Sequence, residues 1–175
     1  MVASTERMSR LATRLVEGGA EVLHATPANL SQTIIGLIGQ RGWHRLVSVR
    51  RNRVGHPSVM GDDPELTEQD LAQLDAVITE SAAAVVDLGA VALDHSPGQG
   101  RAALTKIEGI HVCVVEETDV VDDLAAARER LGPGEITWIG GPSAGSEVVE
   151  ILARPLIAVL VGAPDPRSDG APVSG

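Results

Sequence analysis

Asp75-Ala76-Val77-Ile78-Thr79, Ala83-Ala84-Val85-Val86-Asp87-Leu88-Gly89-Ala90-Val91-Ala92-Leu93-Asp94 and His111-Val112-Cys113-Val114-Val115 carry the reading of the fold. The first and last are short apolar runs rich in β-branched residues, the pattern of strands buried on both faces. The middle stretch is a pair of such runs joined at Asp87 to Ala90, with Gly89 free to take the bend.

Helical spacing surrounds these runs. Met8, Leu11, Ala12, Leu15 and Val16 recur on one helix face, and Gly18-Gly19 ends that helix. Residues 20–24 read as a strand. Thr26-Pro27 reads as an N-cap with proline at the first helical position, opening a helix that carries Leu30, Ile34, Leu37 and Ile38. Residues 45–49 form a short strand, and the polar stretch 50–68 a long surface loop. Thr67 with Asp70 opens a short helix. Residues 96–100 form a glycine loop leading into a short helix at 101–107. Thr118 is expected to cap a helix that ends with Arg128 and Arg130, facing inward through Val120, Leu124, Ala127 and Leu131. A strand at 136–139, a glycine loop at 140–146, a helix at 147–152 and a strand at 156–161 complete the alternation. Strands alternating with helices give an α/β fold, read here as a single domain over 1–163 with a loose tail at 164–175.

Composition narrows the function. The chain has 175 residues, a net charge of −10, 43% hydrophobic residues, and two Trp with neither Phe nor Tyr. A core of Val, Leu, Ile and Ala follows. Stacking platforms for single strands need several aromatic faces, which two Trp alone scarcely supply, and the acidic balance repels phosphate backbones, so no nucleic-acid partner is expected. The single cysteine supplies neither an internal disulfide nor a cysteine-based iron–sulfur site. The first residues lack the apolar core of a signal peptide, and the longest apolar run falls far short of the roughly 20 residues of a membrane span. The expectation is a cytoplasmic protein with no membrane span.

The chemistry-bearing candidates cluster in loops. Gly140-Gly141-Pro142-Ser143-Ala144-Gly145-Ser146 follows a strand, where backbone amides at a helix start can face an anion and Ser143 can add a hydroxyl. An ordinary strand–turn–helix connection has the same sequence, and the loop lacks a full phosphate-binding fingerprint. Pro97-Gly98-Gln99-Gly100-Arg101 is similar in kind, with Arg101 able to pin a carboxylate or phosphate, or to sit solvated in a turn. Asp87, beside Gly89, is either a general base or a turn aspartate bonding its own backbone. His111 and Cys113 share a strand face, and with His95 they match a metal site only weakly, so no metal is assigned. Arg41, Arg45, Arg50, Arg51 and Arg53 make a local basic patch that suits an acidic partner or a solvated loop.

Taken in order, the Asp75 to Thr79 run, the Ala83 to Asp94 pair, Gly98-Gln99-Gly100-Arg101, the His111 to Val115 run and Ile136-Thr137-Trp138-Ile139-Gly140-Gly141-Pro142-Ser143-Ala144 resemble the lactate utilisation (LUD) domain family, and within it the lactate utilisation C group. The resemblance covers about Leu11 to Val161. Where the family usually reads Ala-Glu-Thr-Gly-Thr, this chain has Val86-Asp87-Leu88-Gly89-Ala90: the acid is kept and both threonines are gone. The family's Gly-Val-His-Gly-Pro element before the last strand is missing, and Ala153-Arg154-Pro155 leads straight into it.

The resemblance implies a Rossmann-like sheet of the sugar-phosphate isomerase and CoA-transferase type, with ligands at strand ends. It implies a role beside iron–sulfur lactate-oxidation proteins, as a subunit that carries no cofactor of its own and that binds a small organic anion or completes the assembly. On that reading Gly141, Ser143 and Gly145 donate to the ligand, and Gly89, Gln99, Gly100 and Arg101 form the opposing wall, with Asp87 and then Glu147 as catalytic candidates. The alternatives are a stand-alone enzyme acting on a sugar phosphate, a CoA thioester or a folate, and a non-catalytic scaffold. A homo-oligomer is compatible with each.

Overall fold

The computed structural model describes residues 2–49, 55–61, 66–95 and 109–162. Its elements in chain order are α1 (Val2–Glu17), β1 (Glu21–Ala25), α2 (Leu30–Arg41), β2 (Leu46–Ser48), β3 (Val59–Met60), α3 (Glu68–Ala72), β4 (Ala76–Glu80), β5 (Ala83–Val85), β6 (Ala90–Leu93), β7 (Ile110–Glu116), β8 (Val120–Val121), α4 (Leu124–Leu131), β9 (Thr137–Gly140), β10 (Ile151–Ala153) and β11 (Leu156–Val161).

The apolar runs build the centre, as their composition requires. β1, β11, β7, β4, β2 and β3 form a six-stranded sheet in that order, and every pairing in it is parallel. β7 and β11 lie in the middle, with Val112 opposite Ile157 and Val114 opposite Val159. A parallel sheet must be covered on both faces. One face carries α2, whose Leu30, Ile34, Leu37 and Ile38 pack on Ile78, Val112, Val114, Ile157 and Val159. The other face carries α1 and a second sheet.

That second sheet has the order β10-β9-β6-β5-β8 and mixes parallel and antiparallel pairs. Met8, Leu11 and Leu15 of α1 pack in one cluster with Val91, Leu93 and Ile139 of the second sheet and Cys113, Val115, Ala158 and Leu160 of the first. One core therefore spans both sheets. Arg7 and Arg10 of α1 also reach Asp122 at 3.2 and 3.3 Å, beyond β8. These exposed pairs orient the helix more than they stabilise it.

Local signals explain several boundaries. Thr67 and Asp70 form a reciprocal capping box at the start of α3. The β5–β6 hairpin turns at Gly89, whose φ of 59° lies in the left-handed region. Other expectations need correction. Residues 147–152 are not a helix: after a bend, Ile151–Ala153 pairs in parallel with β9. Residues 147–149 form the bend, and the edge of β9 offers backbone partners to Ile151–Ala153 beyond it. The helix expected from Thr118 begins only at Leu124, because Val120–Val121 pairs with β5 and Asp123 supplies the cap through Ala126 N–H at 2.8 Å. Likewise α2 starts at Leu30 rather than after Thr26; Thr26 and Asn29 bond one another in a turn ahead of it. The helix at 101–107 and the tail at 164–175 lie outside the described residues.

Candidate functional site

A cleft of about 580 Å³ opens over the carboxyl ends of the parallel strands. Ligands in open α/β sheets sit at this edge, because the strand ends and following loops leave backbone groups and side chains free to converge. His24 and Ala25 end β1, Leu160 and Gly162 belong to the end of β11, and Glu117 follows β7. α1 lines one wall with Thr5, Met8, Ser9, Ala12 and Thr13, and the Thr26–Asn29 turn closes the far side.

The cleft is lined by both polar and apolar groups. Thr13 donates to the Ser9 carbonyl at 3.2 Å, which leaves its oxygen lone pairs as acceptors. Thr26 accepts from the Asn29 amide at 3.3 Å, which leaves its hydroxyl proton to donate. A Cβ on Gly162 would stand 3.4 Å from a Glu117 carboxylate oxygen and 3.9 Å from the Met8 methyl. The bare backbone at the end of β11 thus separates a carboxylate from a thioether.

The site residues expected from sequence lie outside this cleft, and the structure brings several of them together. Asp87 is exposed; its amide donates to the Asp122 carbonyl at 3.0 Å, and its carbonyl accepts from Arg14 at 2.7 Å. A Cβ on Gly89 would stand 3.0 Å from the Arg14 carbonyl. Gly141 faces the next turn of the same helix end, where a Cβ would meet the Gly18 carbonyl at 2.4 Å and the Ala20 amide nitrogen at 2.5 Å. Both turns therefore pack on the last residues of α1, backbone against backbone. Ser143 is exposed and holds Gly18 through its amide, while Gly145 and Glu147 are exposed beyond it. None of these six lines the cleft. Gln99, Gly100 and Arg101 lie outside the described residues, as do Arg50, Arg51 and Arg53. Of the remaining arginines in that patch, Arg41 pairs with Glu21 and Arg45 bonds Gln73.

His111 and Cys113 do share a strand face, but in the core. His111 Nε2 and Thr79 Oγ1 lie 2.6 Å apart, and both residues are fully buried. Burial first, and the Arg154 charge second, push the His111 pKa down to about 3, so the ring is neutral. Burial pushes the Cys113 thiol up to about 12. A thiol so held is neither nucleophile nor cluster ligand at neutral pH. His95 instead meets Thr137 at 2.7 Å. Among the described residues no group of three or more His, Cys, Asp or Glu could hold a metal ion. Asp119, half-buried beside Arg130, is raised by burial against the pull of that arginine.

Sequence reading missed Thr5, Ser9, Thr13, His24, Glu117 and Gly162. The hydroxyls recur every four residues and so share a face of α1, which is a legible signal. Glu117 and Gly162 become neighbours only when β7 and β11 pair.

Comparison with known proteins agrees with this architecture. The sequence profile of the LUD domain matches residues 1–154. A lactate utilization protein C from Deinococcus radiodurans is 32% identical over 161 residues, covering 84% of this chain and 73% of that protein. The crystal structure of a DUF162 family protein, also from Deinococcus radiodurans, superposes with a TM-score of 0.74 at 29% identity, covering 91% of this chain and 98% of the other. Among the described residues no helix is long and apolar enough to cross a membrane.

Proposed function

The chain belongs to the LUD domain family, and from that premise we propose that it serves as a cluster-free component of a cytoplasmic lactate-utilisation system, assembling with iron–sulfur partners and binding a small organic molecule. The observation that carries this reading is the 32% identity to a lactate utilization protein C across 84% of the chain. The cysteine chemistry supports the division of labour. The one thiol is buried and its pKa is pushed up to about 12, so the redox clusters belong on the partners.

The cleft over β1, β7 and β11 supports the binding role, since it stands where this class of sheet holds its ligands. The turns at Asp87–Gly89 and Gly141–Ser143 support a different role: they fix α1, and α1 is one wall of that cleft. The reading is tested by deleting the gene in its native host and growing the strain on L-lactate as sole carbon source. Growth should fail and return with the wild-type gene. Unimpaired growth contradicts the assignment.

A further inference from the structure

We propose that β1 is the interface of a two-fold symmetric dimer, in which the β1 strands of two copies of this chain pair antiparallel and join their six-stranded sheets into one. The proposal stands on the strand edge and is independent of the role assigned above.

β1 ends the first sheet and pairs with β11 on one side only. In a parallel strand the N–H and C=O of one residue point to the same side, and that side alternates from residue to residue. The Ala25 carbonyl accepts from the Gly162 amide at 3.1 Å. With the observed register, Glu21, Leu23 and Ala25 therefore bond to β11. The backbone groups of Val22 and His24 face outward, and they have no partner among the described residues.

Among the described residues β1 is the longest open edge. At the other sheet ends, β3 and β8 have two residues each and β10 has three. Natural sheets blunt their edges with proline, a bulge or a bare charge, or else cover them. β1 has no proline, its register with β11 runs unbroken from Glu21 to Ala25, and the Glu21 carboxylate is answered by Arg41.

The edge is complementary to itself. With the two-fold axis at Leu23, Val22 of each copy stands opposite His24 of the other. Each such pair exchanges two hydrogen bonds through the groups that face outward. Four main-chain hydrogen bonds form and the β11 ladder is untouched. Leu23 meets its own counterpart at the axis. The two Glu21 residues stand about 14 Å apart along the strands, beyond the roughly 8 Å over which charges act at physiological salt. A second copy therefore meets this edge without opposed charges, and closed two-fold pairs are the commonest assemblies of identical chains. His24 also lines the cleft, so the pairing fixes the backbone of one of its wall residues.

The test is molar mass by light scattering across a dilution series. The mass should rise from the 18.2 kDa of one copy toward twice that with concentration. His24→Pro and Val22→Pro should each hold it at one copy throughout. Either proline removes an outward N–H and no bond to β11, the one kind of strand position that accepts it, so melting at high dilution should stay close to wild type. Amide exchange followed by NMR reads the same edge without substitution. The Val22 and His24 amides should exchange about tenfold more slowly once nine-tenths of the chain is paired, because only the unpaired fraction is open; the Leu23 amide should be protected at every concentration. Where a proline variant fails to fold, this exchange pattern decides. The proposal is overturned if the wild type stays at one copy throughout, if a folded proline variant still dimerises, or if the Val22 and His24 amides exchange as fast at high concentration as at low.

Discussion

The Ser143 amide donates to the Gly18 carbonyl at 2.8 Å, fastening the turn after β9 to the end of α1. Gly141 lies in the same contact, where a Cβ would stand 2.4 Å from that carbonyl. The glycine and the serine amide together dock the end of α1 against the turn after β9, and so bear on how its hydroxyl face stands over the cleft.

Gly141→Ala should therefore force backbone apart and destabilise the fold by about 1–3 kcal/mol, the usual cost of overpacking. Gly145→Ala is the control, since a Cβ there meets nothing within 4 Å; its effect should stay within about 0.5 kcal/mol. Urea unfolding midpoints of the two variants measure the difference. Equal midpoints contradict the close contact at Gly141.

The Asp87 turn separates backbone from side chain in the same way. Gly89→Ala combines a φ of 59° with a 3.0 Å approach to the Arg14 carbonyl, and should cost about 1–3 kcal/mol. Asp87→Asn keeps both backbone hydrogen bonds and alters an exposed side chain, so its thermal unfolding should match the wild type. A large loss in Asp87→Asn would show that the carboxylate itself holds the turn.

His111 gives the fold a dependence on acidity. Its folded pKa of about 3 lies below the ordinary value of 6.5. Above both values the ring is neutral in either state and imposes no penalty. As pH falls below 6.5 the unfolded chain takes up a proton that the folded chain refuses, so stability drops by roughly 1 kcal/mol per pH unit from this group until the folded ring titrates. His111→Gln should flatten the stability profile between pH 6 and pH 4 relative to wild type, whatever its absolute stability. Parallel profiles contradict a buried neutral histidine.

Cys113 is predicted to be silent toward thiol reagents. The native chain should react with an aromatic disulfide reagent at a small fraction of the rate seen after unfolding, because burial holds the thiol protonated with a pKa of about 12. Stoichiometric reaction of the native chain within seconds would place the thiol at the surface.

The parallel strands were legible because β4, β7 and β11 are apolar on both faces and bounded by breakers, and the Thr67–Asp70 box and Gly89 bend were legible because their chemistry is local. Residues 147–152 were misread because a run this short fits helix and strand alike, and only the exposed edge of β9 decides between them. Val120–Val121 was lost into the following helix for the same reason, since its partner is β5 in another part of the chain. In the turns expected as ligand loops, Gly89 and Gly141 stand in close contact with the end of α1, a relationship that spacing along the chain does not reveal. The cleft was hidden because Glu117 and Gly162 become neighbours only when β7 and β11 pair, and the hydroxyl face of α1 meets them only through tertiary packing.

The most direct test of the account is affinity purification of the tagged chain from native cells grown on L-lactate, with mass spectrometry, iron analysis and a visible absorption spectrum of the eluate. The account predicts a brown eluate in which this chain accompanies iron–sulfur proteins, and a colourless, iron-free chain once those partners are stripped away. A colourless chain recovered alone from lactate-grown cells would contradict it.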